Sequence, residues 1–350
     1  GIRDTSVTGV QTCALPIFDI STNLFGRRKP FDLAATATNG QRINGFAQLK
    51  KVDGTLTTLV QAGTEVYTWD GQTTFTSVGT VKSGARLRGP LSQNWLLTGV
   101  CIITDLAKLQ TVLSWNGTAL TELAHNLGGD FFAKYLAIEN ELAFFGNVKS
   151  GSSDTPHLIV GSKRTDHTNL TVSNRPSSSL AVDDPWFLPI PDLRPINGLL
   201  AAYNKIVFSS ERGRIYNLTG DDARDYAVSQ LYADSAATGD EAMAYDGRDV
   251  LYGRIGRIES LEATEKFGNV EVDDLSLEVG NLINRVDGWT IAYNATEQKL
   301  YCFGDSFSDL FVFHRPIRDK WLQGGLGAAI QGVGKVSPWS LWRTNHAMAF

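Results

Sequence analysis

The residues with the clearest chemical potential lie near the end of the chain. Gly304-Asp305-Ser306-Phe307-Ser308-Asp309 sets a serine just after a strand-like run, as a nucleophile for ester hydrolysis would be set. Such a serine needs a general base, usually from a downstream Asp-x-x-His. Only His314 and His346 follow, and Arg343 stands where the aspartate before His346 should be. The 44 residues after Ser306 are too few for a domain that positions a base. A hairpin is therefore expected, Lys299 to Phe303 turning into Leu310 to His314, with Ser306 in the turn and no catalytic set.

Other candidate groups fare similarly. Asp221-Asp222-Ala223-Arg224-Asp225 has carboxylates for calcium, but a calcium loop alternates oxygen ligands about a central glycine, and Arg224 spoils that pattern. The adjacent pairs Asp183-Asp184 and Asp273-Asp274 point to opposite faces of extended chain and make poor acid/base partners. His157 and His167 have no third nearby ligand, so no metal and no cofactor is expected. Arg86-Leu87-Arg88 and the pair Arg212 and Arg214 are spaced by two, which can put guanidinium groups on one face of a strand toward DNA phosphate or a protein partner, with ordinary surface arginine as the favoured alternative. Trp186 is expected to anchor a loop on a face and is a first candidate for a partner contact, as is Trp339.

The elements that must position these residues are short strands. Asn-Gly or Asp-Gly occurs eight times, at 39–40, 44–45, 53–54, 70–71, 116–117, 197–198, 246–247 and 287–288. These pairs accept the positive φ of tight hairpins, and β-rich runs flank most of them. No window holds a helical apolar period of helix length. Trp69-Asp70-Gly71 recurs as Trp115-Asn116-Gly117, a step of 46 residues, and Ile43-Asn44-Gly45 recurs as Ile196-Asn197-Gly198. Six windows follow, 43–82, 84–127, 130–172, 192–232, 236–277 and 287–325, each about the length of a propeller blade. The expected fold is an all-β propeller of about six or more blades, truncated at both ends. Val182 to Pro191, with three prolines in seven residues, cannot form a central strand and is expected to be a loop.

Residues 1–17 read as the in-frame translation of a sequencing adapter and are set aside as an artefact. Residues 18–42 are expected to be an irregular lead-in, and 43–350 a propeller incomplete at its C-terminus. The chain carries net charge −5, and discounting Arg3 and Asp4 leaves that value unchanged. That excludes a protein gripping nucleic acid over its whole surface, since such binding rests on Lys and Arg displacing counterions. Cys101 and Cys302 sit in apolar runs and are expected to be lone buried thiols. The longest apolar run, near Trp95 to Ile103, is too short to span a bilayer.

From about Arg28 onward the chain resembles the propeller-bearing tail proteins of tailed phages, the packaged-DNA stabilisation and tail-nozzle proteins. The resemblance rests on Pro195-Ile196-Asn197-Gly198-Leu199, Asn204 to Glu211, Arg214 to Gly220, Ser235 to Gly239 and Asp249 to Ile258. It implies a non-catalytic virion structural protein of the tail or head–tail connector, made in the host cytoplasm, that helps retain and conduct the genome. The implied partners are portal, adaptor or tail proteins, further copies in a ring, and transient packaged DNA, with no membrane. Two alternatives stand beside it. One is a propeller receptor- or glycan-binding module. The other is a propeller glycan hydrolase, which would need several carboxylates converging at the central tunnel.

Overall fold

The computed structural model describes residues 16–19, 24–27, 37–41, 43–51, 53–71, 73–89, 99–211, 214–232, 236–263, 270–276, 283–284, 286–294, 298–304, 309–314 and 321–325. Pro16–Asp19 (β1) pairs antiparallel with Leu24–Arg27 (β2). From Ile43 the described residues form six four-stranded antiparallel meanders, the first two joined through a parallel pairing of their first strands into one eight-stranded sheet. The first sheet is β3 (Ile43–Lys50), β4 (Leu56–Ala62), β5 (Glu65–Trp69) and β6 (Phe75–Thr80). The second is β7 (Leu87–Arg88), β8 (Cys101–Asp105), β9 (Leu113–Trp115) and β10 (Leu120–Glu122). The third is β11 (Phe131–Glu139), β12 (Leu142–Ser150), β13 (Ser153–Gly161) and β14 (Trp186–Pro189). The fourth is β15 (Ile196–Ala202), β16 (Lys205–Ser210), β17 (Ile215–Thr219) and β18 (Ala227–Tyr232). The fifth is β19 (Met243–Tyr245), β20 (Val250–Arg254), β21 (Arg257–Ala263) and β22 (Val270–Asp274). The sixth is β23 (Trp289–Asn294), β24 (Lys299–Gly304), β25 (Asp309–His314) and β26 (Trp321–Gly325).

The first strands of successive sheets meet one another. β3 pairs in parallel with β7 at Phe46 and Arg88, and Glu241 bridges in parallel to Thr290. β11 packs on β15, β15 on β19 and β19 on β23. Apolar side chains fill the spaces between neighbouring sheets. Ala47, Leu59, Leu87 and Trp115 join the first two, and Ile102, Phe131, Phe145 and Val160 join the second and third. Phe144, Trp186, Phe208 and Tyr216 join the third and fourth, and Val207, Tyr252, Trp289 and Leu300 continue through the fourth to sixth. Each such side chain contributes on the order of 1.5–3 kcal/mol by leaving water. Sheets with both faces buried in this way account for the strands' near-continuous apolar runs.

Buried amides add a polar link from sheet to sheet. Gln61 Nε2 donates to Ala85 O at 2.7 Å while its Oε1 accepts from Leu87 N at 2.9 Å. Asn147 Nδ2 donates to Ile196 O at 2.8 Å, and Asn197 Nδ2 donates to Ala237 O. Each fixes the start of the next blade, where the backbone would otherwise leave buried groups unsatisfied.

Two expectations are corrected. The segment expected as a loop contains β14, because an edge strand pairs on one side only and tolerates proline there: Pro189 is partnered by Leu158 alone. Asn44-Gly45 and Asn197-Gly198 are not hairpin turns. They lie inside β3 and β15, at register shifts in equivalent first strands. Glycine is required at 45 because a Cβ there would lie 2.8 Å from Leu87 O, and at 198 a Cβ would press on Met243 Sδ at 2.7 Å, so that side chain would have to shift.

Candidate functional site

The side chains that converge from distant parts of the chain do so at the starts of the innermost strands. Arg86 precedes the two-residue strand β7, and Arg88 is its second residue. Its position is set by Asp105, which is fully buried and accepts four backbone N–H groups, from Arg86, Ala107, Leu109 and Gln110, at 2.6–3.0 Å. A buried carboxylate satisfied in this way holds both the β8–β9 turn and the β7 backbone in place.

Arg88 points to the fifth sheet. Its Nε and Nη2 both meet the Glu241 carboxylate, the Nη2–Oε2 distance being 3.1 Å, while Nη1 donates to Asn44 O at 2.9 Å and Leu87 O at 2.7 Å. The two side chains are only 11% and 9% exposed. Glu241 is itself fixed by its bridge to Thr290 and by Ile291 N donating to its carbonyl at 2.9 Å. Next to this pair, Arg86 Nη2 lies 2.6 Å from Asp240 Oδ2. Lys134 Nζ and Tyr135 OH each lie 3.4 Å from Asp240 Oδ1. The second and fifth sheets are three places apart in a series of six, so these contacts cross the middle of the propeller.

Burial acts to raise the Asp240 carboxyl, but Lys134 and then Arg86 outweigh it and hold it below the ordinary carboxylate value. Burial, then Asp240 and Glu241, push the Tyr135 hydroxyl well above the usual phenol range. At neutral pH Asp240 is therefore ionised and Tyr135 protonated, and Glu241 is held in a forked ion pair. A glycosidase acid needs the opposite tuning, a carboxyl raised toward neutrality. The arrangement can lock strands together and can offer charge to a ligand.

Of the residues singled out in the sequence, Arg86 and Arg88 are brought together here and face carboxylates of the same chain. Arg214 is exposed at the start of β17, with its N–H on Ser210 Oγ at 3.1 Å. Arg212 and Ser306 lie outside the described residues, as does Trp339. The strands flanking Ser306, β24 and β25, pair as an antiparallel hairpin. Trp186 is not a surface anchor: it is fully buried, 4.6 Å from the Tyr226 ring and against Phe144, and Gly161 leaves the room it occupies. In the acidic run, Arg224 closes back on Asp222 at 2.6 Å and Asp225 Oδ1 accepts the N–H groups of Asp221 and Asp222. Asp183 pairs with Lys163, Asp184 caps Ala181 N, and Asp274 pairs with Arg257. Cys101 and Cys302 are buried free thiols, and burial pushes Cys101 up to about 12.

Sequence reasoning missed Asp105, Lys134, Tyr135, Asp240 and Glu241. The available signal was positional: Arg86-Leu87-Arg88 and Asp240-Glu241 both stand at the start of a repeat window, where first strands face the axis.

The six meanders around a bridged axis define an all-β propeller. No family model matches the chain, and no curated protein matches it. Among solved structures it is similar to a catalytically inactive virginiamycin B lyase from Staphylococcus aureus, with quinupristin, at TM-score 0.53 and 11% identity. That match covers 83% of this chain and 87% of the other. It is also similar to the extracellular domain of the hybrid two component system BT4673 from B. thetaiotaomicron, at TM-score 0.53 and 10% identity. Here 85% of this chain aligns with 34% of that one. At such identities the likeness concerns the fold alone.

Proposed function

We propose that this propeller is a non-catalytic structural component of a phage particle, in the tail or head–tail connector, where it helps retain and conduct the genome. The observation that carries the reading is where the resembling segments fall. Ile196 to Ala202, Lys205 to Ser210 and Ile215 to Thr219 are three successive strands of the fourth sheet, and Val250 to Arg254 lies in the fifth. The resemblance thus runs through contiguous core strands of adjacent blades rather than through scattered words. The axial charges support a role by shape, because they face one another and link opposite blades. With the middle bridged by Arg88 and Glu241, DNA would pass along a channel formed between copies in a ring, not through the propeller itself. Portal, adaptor or tail proteins would be the neighbours in the particle.

The test is mass spectrometry of purified particles, with electron microscopy of a complete homologue. The expected result is a virion protein that forms rings. A monomeric protein absent from particles would contradict the reading and favour a receptor- or glycan-binding module. That second reading draws on one observation, the partial exposure of Arg86 and Asp240 at the axial mouth, at 46% and 34%.

A further inference from the structure

Among the described residues the charges at the axis do not balance: Arg86, Arg88 and Lys134 bring three cations to two carboxylates, Asp240 and Glu241. The inner pair, Arg88 with Glu241, is buried. In the outer group two cations share one carboxylate. Arg86 takes Asp240 Oδ2 at 2.6 Å, which leaves Lys134 a single long contact to Oδ1 at 3.4 Å, shared with the Tyr135 hydroxyl. An ammonium carries three N–H donors, and a guanidinium five, so donor capacity exceeds what Asp240 accepts. The Lys134 side chain is 24% exposed, and Arg86 and Asp240 more so, so the group opens to solvent. An excess cation in a half-buried place draws an anion more strongly than one on the open surface. Two residues before Asp240, Thr238 Oγ1 is a buried atom with no hydrogen-bond partner among the described residues.

We infer that the axial mouth is a binding site for a small hydroxylated carboxylate, with Arg86 and Lys134 holding the carboxylate group and Asp240 accepting from a ligand hydroxyl. The planar guanidinium suits a carboxylate in geometry as well as charge. Two sources share this chemistry, a free hydroxy acid and an acidic sugar at the end of a glycan. The site is independent of the virion reading and would hold for a propeller in any setting.

Isothermal titration of the whole chain with glycolate, glucuronate and glucose tests it. Both acids should bind with Kd of about 1 mM and glucose should not. Arg86→Gln and Lys134→Gln should each weaken acid binding by about tenfold, the loss of one charged contact. Arg214→Gln should leave it unchanged. Because Arg86 and Lys134 are partly exposed, these variants should keep the parent circular dichroism spectrum, which separates loss of binding from loss of fold. Glucuronate binding about tenfold tighter than glycolate upholds the site and assigns it to acidic sugars. Equal binding upholds it and assigns it to free acids. Failure of both acids to saturate by ~50 mM would overturn it. So would glucose binding as well as glucuronate, or acid binding that survives both substitutions.

Discussion

Two charged regions of this propeller have similar composition and opposite construction. The turn at Asp221 to Asp225 satisfies itself: Arg224 closes on a carboxylate two residues away, and Asp225 accepts from backbone one turn back, all at the surface. The axial cluster brings Arg86 and Arg88 to carboxylates 154 and 153 residues further along, and its inner pair is buried. A surface pair formed between near neighbours exists in much the same form in the unfolded chain and is screened by water, so it adds little to the folded state. A buried pair formed across the fold exists only when the fold does, and removing one partner leaves the other's charge buried without compensation. The same residue types are therefore decoration in one region and a link between opposite blades in the other.

The sharpest way to break this contrast is Glu241→Gln. It leaves the Arg88 guanidinium buried without its counter-charge and should destabilise the protein by about 3–5 kcal/mol in denaturant unfolding. A cost below ~1 kcal/mol would place the pair with surface bridges. Asp240→Asn should cost less, about 1 kcal/mol, because Arg86 and Lys134 are partly exposed and water can replace the carboxylate.

Acid sharpens the comparison further. Since the folded value of Asp240 is lowered, its contribution is fully present above the ordinary unfolded value and is lost only as pH falls through the lower folded one. The difference in Tm between the parent and Asp240→Asn should therefore be constant from neutrality down to about pH 5 and shrink below about pH 4. A difference that shrinks between pH 7 and 5 would contradict the assignment. The smallest effect belongs to Asp222→Asn. The Arg224 side chain holds the Asp222 carboxyl down at about 2, yet the two residues are near neighbours in sequence and Arg224 is half exposed, so no measurable change in Tm is expected. A clear drop would show that the turn matters to the fold.

This contrast also explains what could be read in the sequence. Local rules were sufficient for the blades. Asp53-Gly54, Asp70-Gly71, Asn116-Gly117 and Asp246-Gly247 are turns with glycine at positive φ, and the repeated Trp-Asx-Gly ends the third strand of both the first and second sheets. Each of the six repeat windows holds one four-stranded meander, the first two sharing an eight-stranded sheet. Where the rule was local but the context was not, the reading failed. Asn44-Gly45 and Asn197-Gly198 carry the same dipeptide, yet the neighbouring blade approaches so closely that glycine serves packing instead of turning. Trp186 looked like a surface anchor beside prolines, but Gly161 on the adjacent strand opens the space that buries it. The axial site was hardest, since no spacing within the chain relates Arg88 to Glu241. Only the packing of successive blades around a common axis does so.

A double-mutant cycle on Arg88→Met and Glu241→Leu, read by denaturant unfolding, tests that link most directly. The account predicts a coupling of about 1.5 kcal/mol or more, with the double variant recovering much of the stability lost in either single one, because two apolar side chains leave no unpaired buried charge. Additive losses with coupling near zero would show that the two side chains do not meet across the axis.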